Sequence, residues 1–526
     1  MGHLVAAVDV GTGSARAGIL DRRGKFLGRA EHPIEMNRHG AGRAEHDSEQ
    51  IWQAVGLAMR EALREAGVPP EDVAGISFDA TCSLVVRDGQ GRQLNLSGDD
   101  DPRWDTIVWM DHRAREEAEE CTASGHRVVD HAGGTMSPEM QIPKVMWLRR
   151  RSPDIWKNIG YLFDLADFLT WKACGSLERS QCTLACKWGF LPEHGGWPVD
   201  FLSAMGLSDL REKAALPEKA SPAGTDLGPL SDEAARVLGL TARCRVGIGL
   251  VDGHAGFLGI LGRAATEPET IHRRFGLIAG TSSCVMALSK TPRFSRSVWG
   301  PHYGALLPDY WLIEGGQSAS GALLDHIIQN HAAGGEPTPG RHHEICRRIA
   351  VLRAGEGPDL GGRIHVLPDF HGNRSPYADP DAIGVISGLT LDSSFAGLCR
   401  LYWRTAVAIA LGIRQIVETL TSSGYEIDAL HMAGGHSKNP ILMRLYADAT
   451  GLSIFEPTTE DAVLLGTAIV AAVAAGFYED LASASHAMAQ DETEHLPDGA
   501  TRRRLDRDYR IFLAMQEHRR EIDGLT

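Results

Sequence analysis

Val8-Asp-Val-Gly-Thr-Gly-Ser-Ala-Arg16 joins one apolar run, Leu4 to Val8, to a second, Ala15 to Leu20, through one acid and a turn of glycine and hydroxyl residues. Apolar runs broken by such punctuation read as strand, tight turn and strand. Leu277 to Leu288, Leu-Ile-Ala-Gly-Thr-Ser-Ser-Cys-Val-Met-Ala-Leu, repeats the plan with Gly280 and Thr281 at its turn. Glycines let backbone N–H groups approach an anion closely, and the hydroxyls of Thr12, Ser14, Thr281 and Ser282 add donors. One such hairpin is ordinarily only a turn. Two of them facing across a cleft would hold a polyphosphate from both sides, and Asp9 at a strand end points the same way.

The chain of 526 residues is too long for one core and predicts two or three domains. Its 53 basic and 68 acidic residues leave a net charge of −15 with no long basic run, which argues against nucleic acid or an anionic membrane as partner. The longest apolar segment, Ala462 to Phe477, falls short of the ~20 residues of a membrane span and reads as a buried helix. The N-terminus enters a strand directly, with no signal-like segment, and the nine scattered cysteines predict reduced thiols in a cytoplasmic protein. Cys182 and Cys186 with His194 form the one metal-like cluster; without a fourth ligand it is not read as a zinc site.

Outward from the opening stretch, Leu4 to Ala30 predicts three antiparallel strands, and Ser48 to Ala66 a helix with a capping box of Asp47 and Gln50. Val73 to Phe78 reads as a buried strand ending at Asp79-Ala-Thr-Cys-Ser83, where an open α/β sheet usually forms a crevice. A strand at Ile107 to Met110 precedes Asp111-His112-Arg113, helices follow at Pro143 to Arg151 and Phe163 to Lys172, and Pro192 to Leu230 reads as irregular surface. Cys244 to Gly249 is a strand delivering Asp252-Gly253-His254 to the junction between halves. The second half predicts a helix from Ala255 to Arg263, the echo hairpin, a loop at Ala332 to Gly340, and an interdomain helix at Leu401 to Leu420. It continues with a strand, Leu430 to Ala433, running into Gly434-Gly435 and Asn439, a helix to Thr450, an apolar helix from Glu460 to Ala475, and a charged helical tail from about Asp491. The whole is a duplicated α/β architecture with an active-site cleft between its halves, divided as 1–255, 256–490 and a tail 491–526.

Phosphoryl transfer needs positioning, charge neutralisation and one base for a hydroxyl proton. Asp9 and Asp252 both end strands, where carboxylates meet a Mg²⁺ held largely through waters. Asp252, flanked by glycine and ionised at an ordinary pKa of ~3.9, is the better base, although a helix N-cap explains it too. Gly434-Gly435 with Asn439 suits a nucleoside or, equally, a helix cap. Neither a P-loop nor a dinucleotide fingerprint occurs. Lys187, Glu314 and Asp111 to Arg113 are placed around a small polyol, with internal ion pairs as the other reading. Trp52, Trp109 and Trp147 read as core or hinge, His342-His343 as solvated, and His254 as either a site residue or a packed one.

Together these motifs resemble the FGGY carbohydrate kinases of the sugar kinase, heat-shock chaperone and actin superfamily, from Asp9 to about Gly476. Asp9 to Arg16 looks like the first phosphate motif, Leu277 to Ser283 the second, and Ala433 to Pro440 the adenosine motif. The resemblance implies two duplicated actin-like (ribonuclease H-like) domains and MgATP as donor. It implies Gly11, Thr12, Gly13, Gly280 and Thr281 at the phosphates, and Gln317, Gly434, Gly435 and Asn439 also at the nucleotide. Asp252 matches the catalytic base, with Asp9 and Asp252 at the metal. Phe78 to Ser83, Glu314 to Ala319 and His365 to Pro376 are similar to the ribulokinase branch, which implies that Thr81, Cys82, Lys187, Asp252 and Glu314 contact a ketopentose. The implied activity is ATP-dependent D-ribulokinase; a kinase for another pentulose or pentitol and a catalytically silent binding protein are the alternatives. A homodimer is the expected assembly. The chain departs from the family at Gly13, where many members carry Thr or Ser, and near Gly397, where a polar residue is usual.

Overall fold

The buried run Leu4–Val10 forms strand β1 in a computed structural model, which describes residues 2–40, 42–98, 101, 103–296 and 298–525. It pairs antiparallel with β2 (Ser14–Asp21), and β2 with β3 (Phe26–Pro33), as the hairpin pattern predicts. Helix α1 (Ser48–Ala66) buries the stripe Ile51, Val55, Met59 and Leu63 against this sheet. The Asp47 carboxylate caps it by accepting the N–H groups of Glu49 and Gln50 at 3.0 and 3.1 Å. The reciprocal half of the capping box is not made, because the Gln50 amide accepts the Glu35 N–H and donates to the Pro33 carbonyl. Strand β4 (Val73–Ala80) then lies parallel to β1.

Register now matters for the site. Asp9 stands opposite Arg16 on β2 and opposite Asp79 on β4, while the short strand Leu250–Val251 pairs with Asp79 and Ala80 from the other side. One end of this seven-stranded sheet therefore gathers Asp9, Asp79, Arg16 and the start of helix α3 below.

Between β4 and that helix the sequence reading needs three corrections. The strand expected at Ile107 to Met110 shrinks to Thr106–Ile107 within a five-stranded sheet that also holds Leu84–Asp88 and Ile159–Asp164. Phe163 pairs with Val85 on that sheet, so the predicted helix starts later and runs Leu165–Cys174. Pro192 to Leu230 is not surface: Trp197, Phe201, Leu202 and Leu210 pack with Trp147 and Trp188 in a core. Its helices, Val199–Ala204 and Leu210–Lys213, are too short to show a 3.6-residue period. Helix α2 (Gln181–Lys187) carries Lys187 at its C-terminal end, and α3 (Asp252–Leu261) begins at Asp252 itself. The cap position falls on Val251, so Asp252 lies in the first turn, where the helix dipole favours a carboxylate.

The second seven-stranded sheet repeats the first. Strands β5 (Arg274–Ala279) and β6 (Ser283–Ser289) form the echo hairpin, extended by β7 (Trp311–Gln317). Among the described residues a further helix, α4 (Pro339–Glu356), follows the Gly/Pro-rich loop; Pro339 takes its first position and Thr338 caps it, so the residues read as breakers in fact start a helix. Helix α5 (Phe395–Ser422) lies inside the second core rather than between domains. It is long and apolar enough to cross a membrane, but 83% of its apolar window is buried here. Strand β8 (Ala429–Ala433) lies parallel beside β5, as β4 lies beside β1. Helix α6 (Pro440–Thr450) follows, then α7 (Ala462–Ala474), which packs on α3, β1 and β4 and so joins the two halves. Small residues make that crossing close: a Cβ at Gly259 would meet the Ala462 carbonyl at 2.0 Å, and one at Gly466 the Ala255 carbonyl at 1.8 Å. The tail adds a strand, Glu492–His495, before helix α8 (Gly499–Asp523) sets Leu505, Tyr509 and Phe512 into the second core.

Candidate active site

Between the two hairpin turns opens a cleft of about 360 Å³. Gly11, Thr12, Gly13, Thr81, Cys82, Lys187, Asp252, Gly280, Thr281, Glu314, Gly434 and Gly435 line it, which brings residues from seven stretches of the sequence into one space. Of the residues the resemblance implies, three lie outside its wall. Asp9 is fully buried beneath it and paired with Arg16. Gln317 donates its amide to the Ile409 carbonyl at 3.2 Å. Asn439 caps α6 through the Ile441 N–H and donates to the Tyr402 hydroxyl at 3.1 Å, which is the capping role left open above.

The turns are shaped for an anion. A Cβ built on Gly13, Gly280 or Gly435 would touch nothing within 4 Å, so these glycines face open space where backbone N–H groups can be approached. Gly434 is required for another reason: its φ is +99°, and a Cβ would sit 2.4 Å from the Ala279 carbonyl. Trp109, expected in the core or a hinge, instead lines the cleft and donates its indole N–H to Thr12 Oγ1 at 3.0 Å, fixing the first turn.

Asp252 enters this space from the first turn of α3, its Oδ1 accepting the Gly253 N–H at 2.7 Å. Burial pushes its carboxyl above the ordinary range, opposed by that N–H and by the nearby His254 and Arg16. Burial also raises Asp9, to about 7, against the pull of Arg16. Arg16 reaches from the cleft to Asp461 at the start of α7 at 3.4 Å, and Arg29 joins the same carboxylate at 2.9 Å. Asp79 is held by the Thr467 hydroxyl of α7, its Oδ1 without a hydrogen bond. Both contacts tie the first sheet to a helix of the second half.

The acceptor end is a network of opposite charges. Glu314 Oε2 meets His254 Nε2 at 3.3 Å, and its Oε1 meets Arg374 Nη1 at 3.2 Å and Cys284 Sγ at 3.3 Å. Burial resists the charge on Glu314, but Lys187, His254 and Arg374 together hold the carboxyl well below its usual range. Burial likewise resists the charge on Lys187, and the Glu314 carboxylate opposes that; its ammonium lies 4.0 Å from the Trp299 ring centre. Hydrogen-bond capacity is partly spent at Thr81 and Cys82: Thr81 pairs with Val10 and Ser83, and the Cys82 carbonyl accepts from Gln141. His254 is packed, meeting Cys182 Sγ at 3.0 Å through Nδ1. It is thus His254, not His194, that joins Cys182 and Cys186; His194 groups with His131 and Glu193. Arg113 forms buried ion pairs with Asp111 and Glu45 away from the cleft, and His342 bonds Tyr402 and Asp325 rather than standing solvated.

Sequence reasoning missed Arg16, Glu139, Trp299 and Arg374 as cleft residues. Arg16 carried a signal, a lone cation in an otherwise apolar strand beside Asp9. Arg374 and Glu139 carried none that spacing reveals, since they meet across 235 residues.

Two models describing the N- and C-terminal domains of the FGGY family of carbohydrate kinases match residues 4–259 and 276–475. An FGGY carbohydrate kinase domain-containing protein of Xenopus laevis is 38% identical over 98% of this chain and 97% of its own. The D-ribulokinase of Saccharomyces cerevisiae is 39% identical over 89% of this chain and 71% of its own. In fold, the crystal structure of xylulose kinase from Rhodospirillum rubrum superposes with a TM-score of 0.78 at 22% identity, covering 99% of both chains.

Proposed function

The chain belongs to the FGGY family of carbohydrate kinases, and from that premise we propose that it is an ATP-dependent D-ribulokinase, transferring the γ-phosphoryl group to the C5 hydroxyl of D-ribulose to give D-ribulose 5-phosphate and ADP. The observation that carries the reading is the position of Asp252, in one cleft with two glycine turns on one side and Lys187, Glu314 and Arg374 on the other. The identity with the yeast D-ribulokinase supports the choice of sugar.

In this reading Lys187 and Glu314 hydrogen-bond the sugar hydroxyls, and their fixed charges hold it in one orientation. The Asp252 carboxylate accepts the C5 hydroxyl proton as that oxygen bonds phosphorus and the bond to ADP breaks. Backbone N–H groups of Thr12, Gly13 and Thr281 receive the phosphate oxygens, those of Gly11 and Gly280 being spent on the Ser14 and Ser282 carbonyls that close the turns, and Arg16 supplies positive charge beside them. Gly434 and Gly435 lie against the nucleoside, and Asn439 supports them by capping α6. Magnesium, when bound, neutralises phosphate charge; Asp252 would hold it, with Asp9 behind acting through water, Asp9 being a buried carboxylate that has the Arg16 ion pair but no hydrogen bond. The domain boundary is placed at about residue 255, inside α3. Nine free cysteines, most of them buried, fit a reducing cytoplasm.

The test is ADP release by the wild type with MgATP and D-ribulose, L-ribulose, D-xylulose, ribitol or glycerol. The reading expects kcat/KM to be highest on D-ribulose, because a site built to bond each hydroxyl rejects an acceptor that lacks or inverts one by orders of magnitude. A preference for another polyol overturns the substrate, and ADP release that no polyol stimulates overturns the activity.

A further inference from the structure

The cleft stops at an ion pair with space behind it. Arg374 Nη2 meets Glu139 Oε2 at 3.3 Å, the guanidinium lies 4.6 Å from the Trp299 ring centre, and both charged side chains are under a tenth exposed. A second cavity, of about 60 Å³, has Glu139, Trp299 and Arg374 as walls in common with the cleft. Neither Asp252 nor any glycine of the phosphate-facing turns lines it, so it lies beyond the end of the cleft remote from the phosphates. Its remaining wall is mixed: Ser137, Ser318, Asn373 and the stacked rings of His112 and His371 stand among Met136, Pro138, Ala378 and Pro380. A single water needs roughly 10–15 Å³, so the space admits one or two carbinol groups, with Ser137, Ser318 and Asn373 as partners for their hydroxyls and the apolar residues against their carbons.

The two halves of the partition are held unequally. Arg374 also bonds Glu314 and Cys284, and its loop is pinned by the Gly316 N–H to Ser375 Oγ at 3.2 Å and by Arg519 of α8 to Asp369 at 3.1 Å. The Glu139 carboxylate meets Arg374 and, at 4.0 Å, His112. Shortening Glu139 therefore removes the wall while the arginine stays anchored.

Resting on the sugar-kinase reading above, we propose that the Arg374–Glu139 pair sets acceptor length. It ends the site at a five-carbon ketose, and the cavity behind it is a latent subsite for one or two further carbinol units at the end of the chain away from the reacting hydroxyl.

The experiment measures kcat/KM on D-ribulose and on a ketohexose and a ketoheptose that repeat its configuration next to the reacting carbon. The proteins are the wild type, Glu139→Ser, Glu139→Asp and Glu139→Gln. Glu139→Ser is expected to raise the ratio of long to five-carbon acceptor at least tenfold. Glu139→Asp, the milder change should the serine variant fail to fold, raises it less, and Glu139→Gln, which keeps the bulk, leaves it within threefold. Equal losses on all acceptors in the shortened variants, or an unchanged ratio, overturn the proposal. If the wild type turns over none of these ketoses, the reading of the function fails and the length gate falls with it; if it turns over D-ribulose and the ratio does not move, only the gate fails.

Discussion

Gly466→Ala tests the crossing of α3 and α7, because two physical effects predict opposite signs. Alanine is the better helix former by about 1 kcal/mol, and on propensity alone the change stabilises. At this position, however, the new Cβ lies 1.8 Å from the Ala255 carbonyl oxygen, where ordinary contact begins near 3.4 Å, so the helices must part by about 3.4 − 1.8 = 1.6 Å. Overpacking of this kind costs roughly 1–3 kcal/mol, and the top of that range applies because backbone must move. The net is a loss of about 2 kcal/mol, or roughly 4–8 °C in Tm for domains of this size. Ala255 is three residues from Asp252 on the same helix, so the displacement reaches the base as well, and kcat should fall by up to about 100-fold. The assay is a thermal melt with steady-state ADP release, beside Gly355→Ala as control. Gly355 is exposed on α4 with nothing within 4 Å of its Cβ, and alanine there should stabilise slightly. A Gly466→Ala protein that melts at or above the wild type would refute the reasoning.

Glu314→Gln removes the carboxylate held by His254 and Arg374, and kcat/KM for the sugar should fall by about 10²-fold, as loss of a buried charged hydrogen bond implies, while KM for ATP changes little; an unchanged sugar KM and kcat would count against its role. His436, next to the second glycine turn, is held neutral by burial with its pKa lowered from 6.5 to about 4, its Nδ1 against the Tyr446 hydroxyl at 2.8 Å. A depressed folded pKa means the stability it contributes is whole above 6.5 and is lost as pH falls through about 4, which amounts to about 2 kcal/mol between pH 7 and pH 5. Urea unfolding at the two pH values should show this slope in the wild type and a shallower one in His436→Phe.

What was legible in the chain was what is local. The strand pairs at Val8 to Arg16 and at Leu277 to Leu288, Asp9 near the end of the first strand and the glycine turns are set by neighbours a few residues apart, and the structure holds them in the expected form. The cap of α1 was half legible: Asp47 bonds the N–H groups ahead of it, but Gln50 was taken by Pro33 and Glu35, which only the folded hairpin brings near. Long-range packing was not legible. Pro192 to Leu230 looked irregular because its buried residues are spaced by tertiary contacts rather than by a helix period, and α5 looked interdomain because its apolarity does not say which core it enters. The short apolar α7 took that place, since Gly466 lets it lie against α3. The charged end of the cleft was legible only in part: Lys187 and Glu314 could be picked out, whereas Arg374 and Glu139 derive their importance from each other.

The most direct test of the central claim is single-turnover phosphorylation of D-ribulose by Asp252→Asn. Asparagine keeps the shape and an oxygen for the Gly253 N–H but cannot take the hydroxyl proton. The account predicts a transfer step slower by about 10²–10⁴-fold with sugar and nucleotide still bound at near wild-type affinity. Transfer within a few-fold of the wild type would contradict Asp252 as the base and, with it, the mechanism.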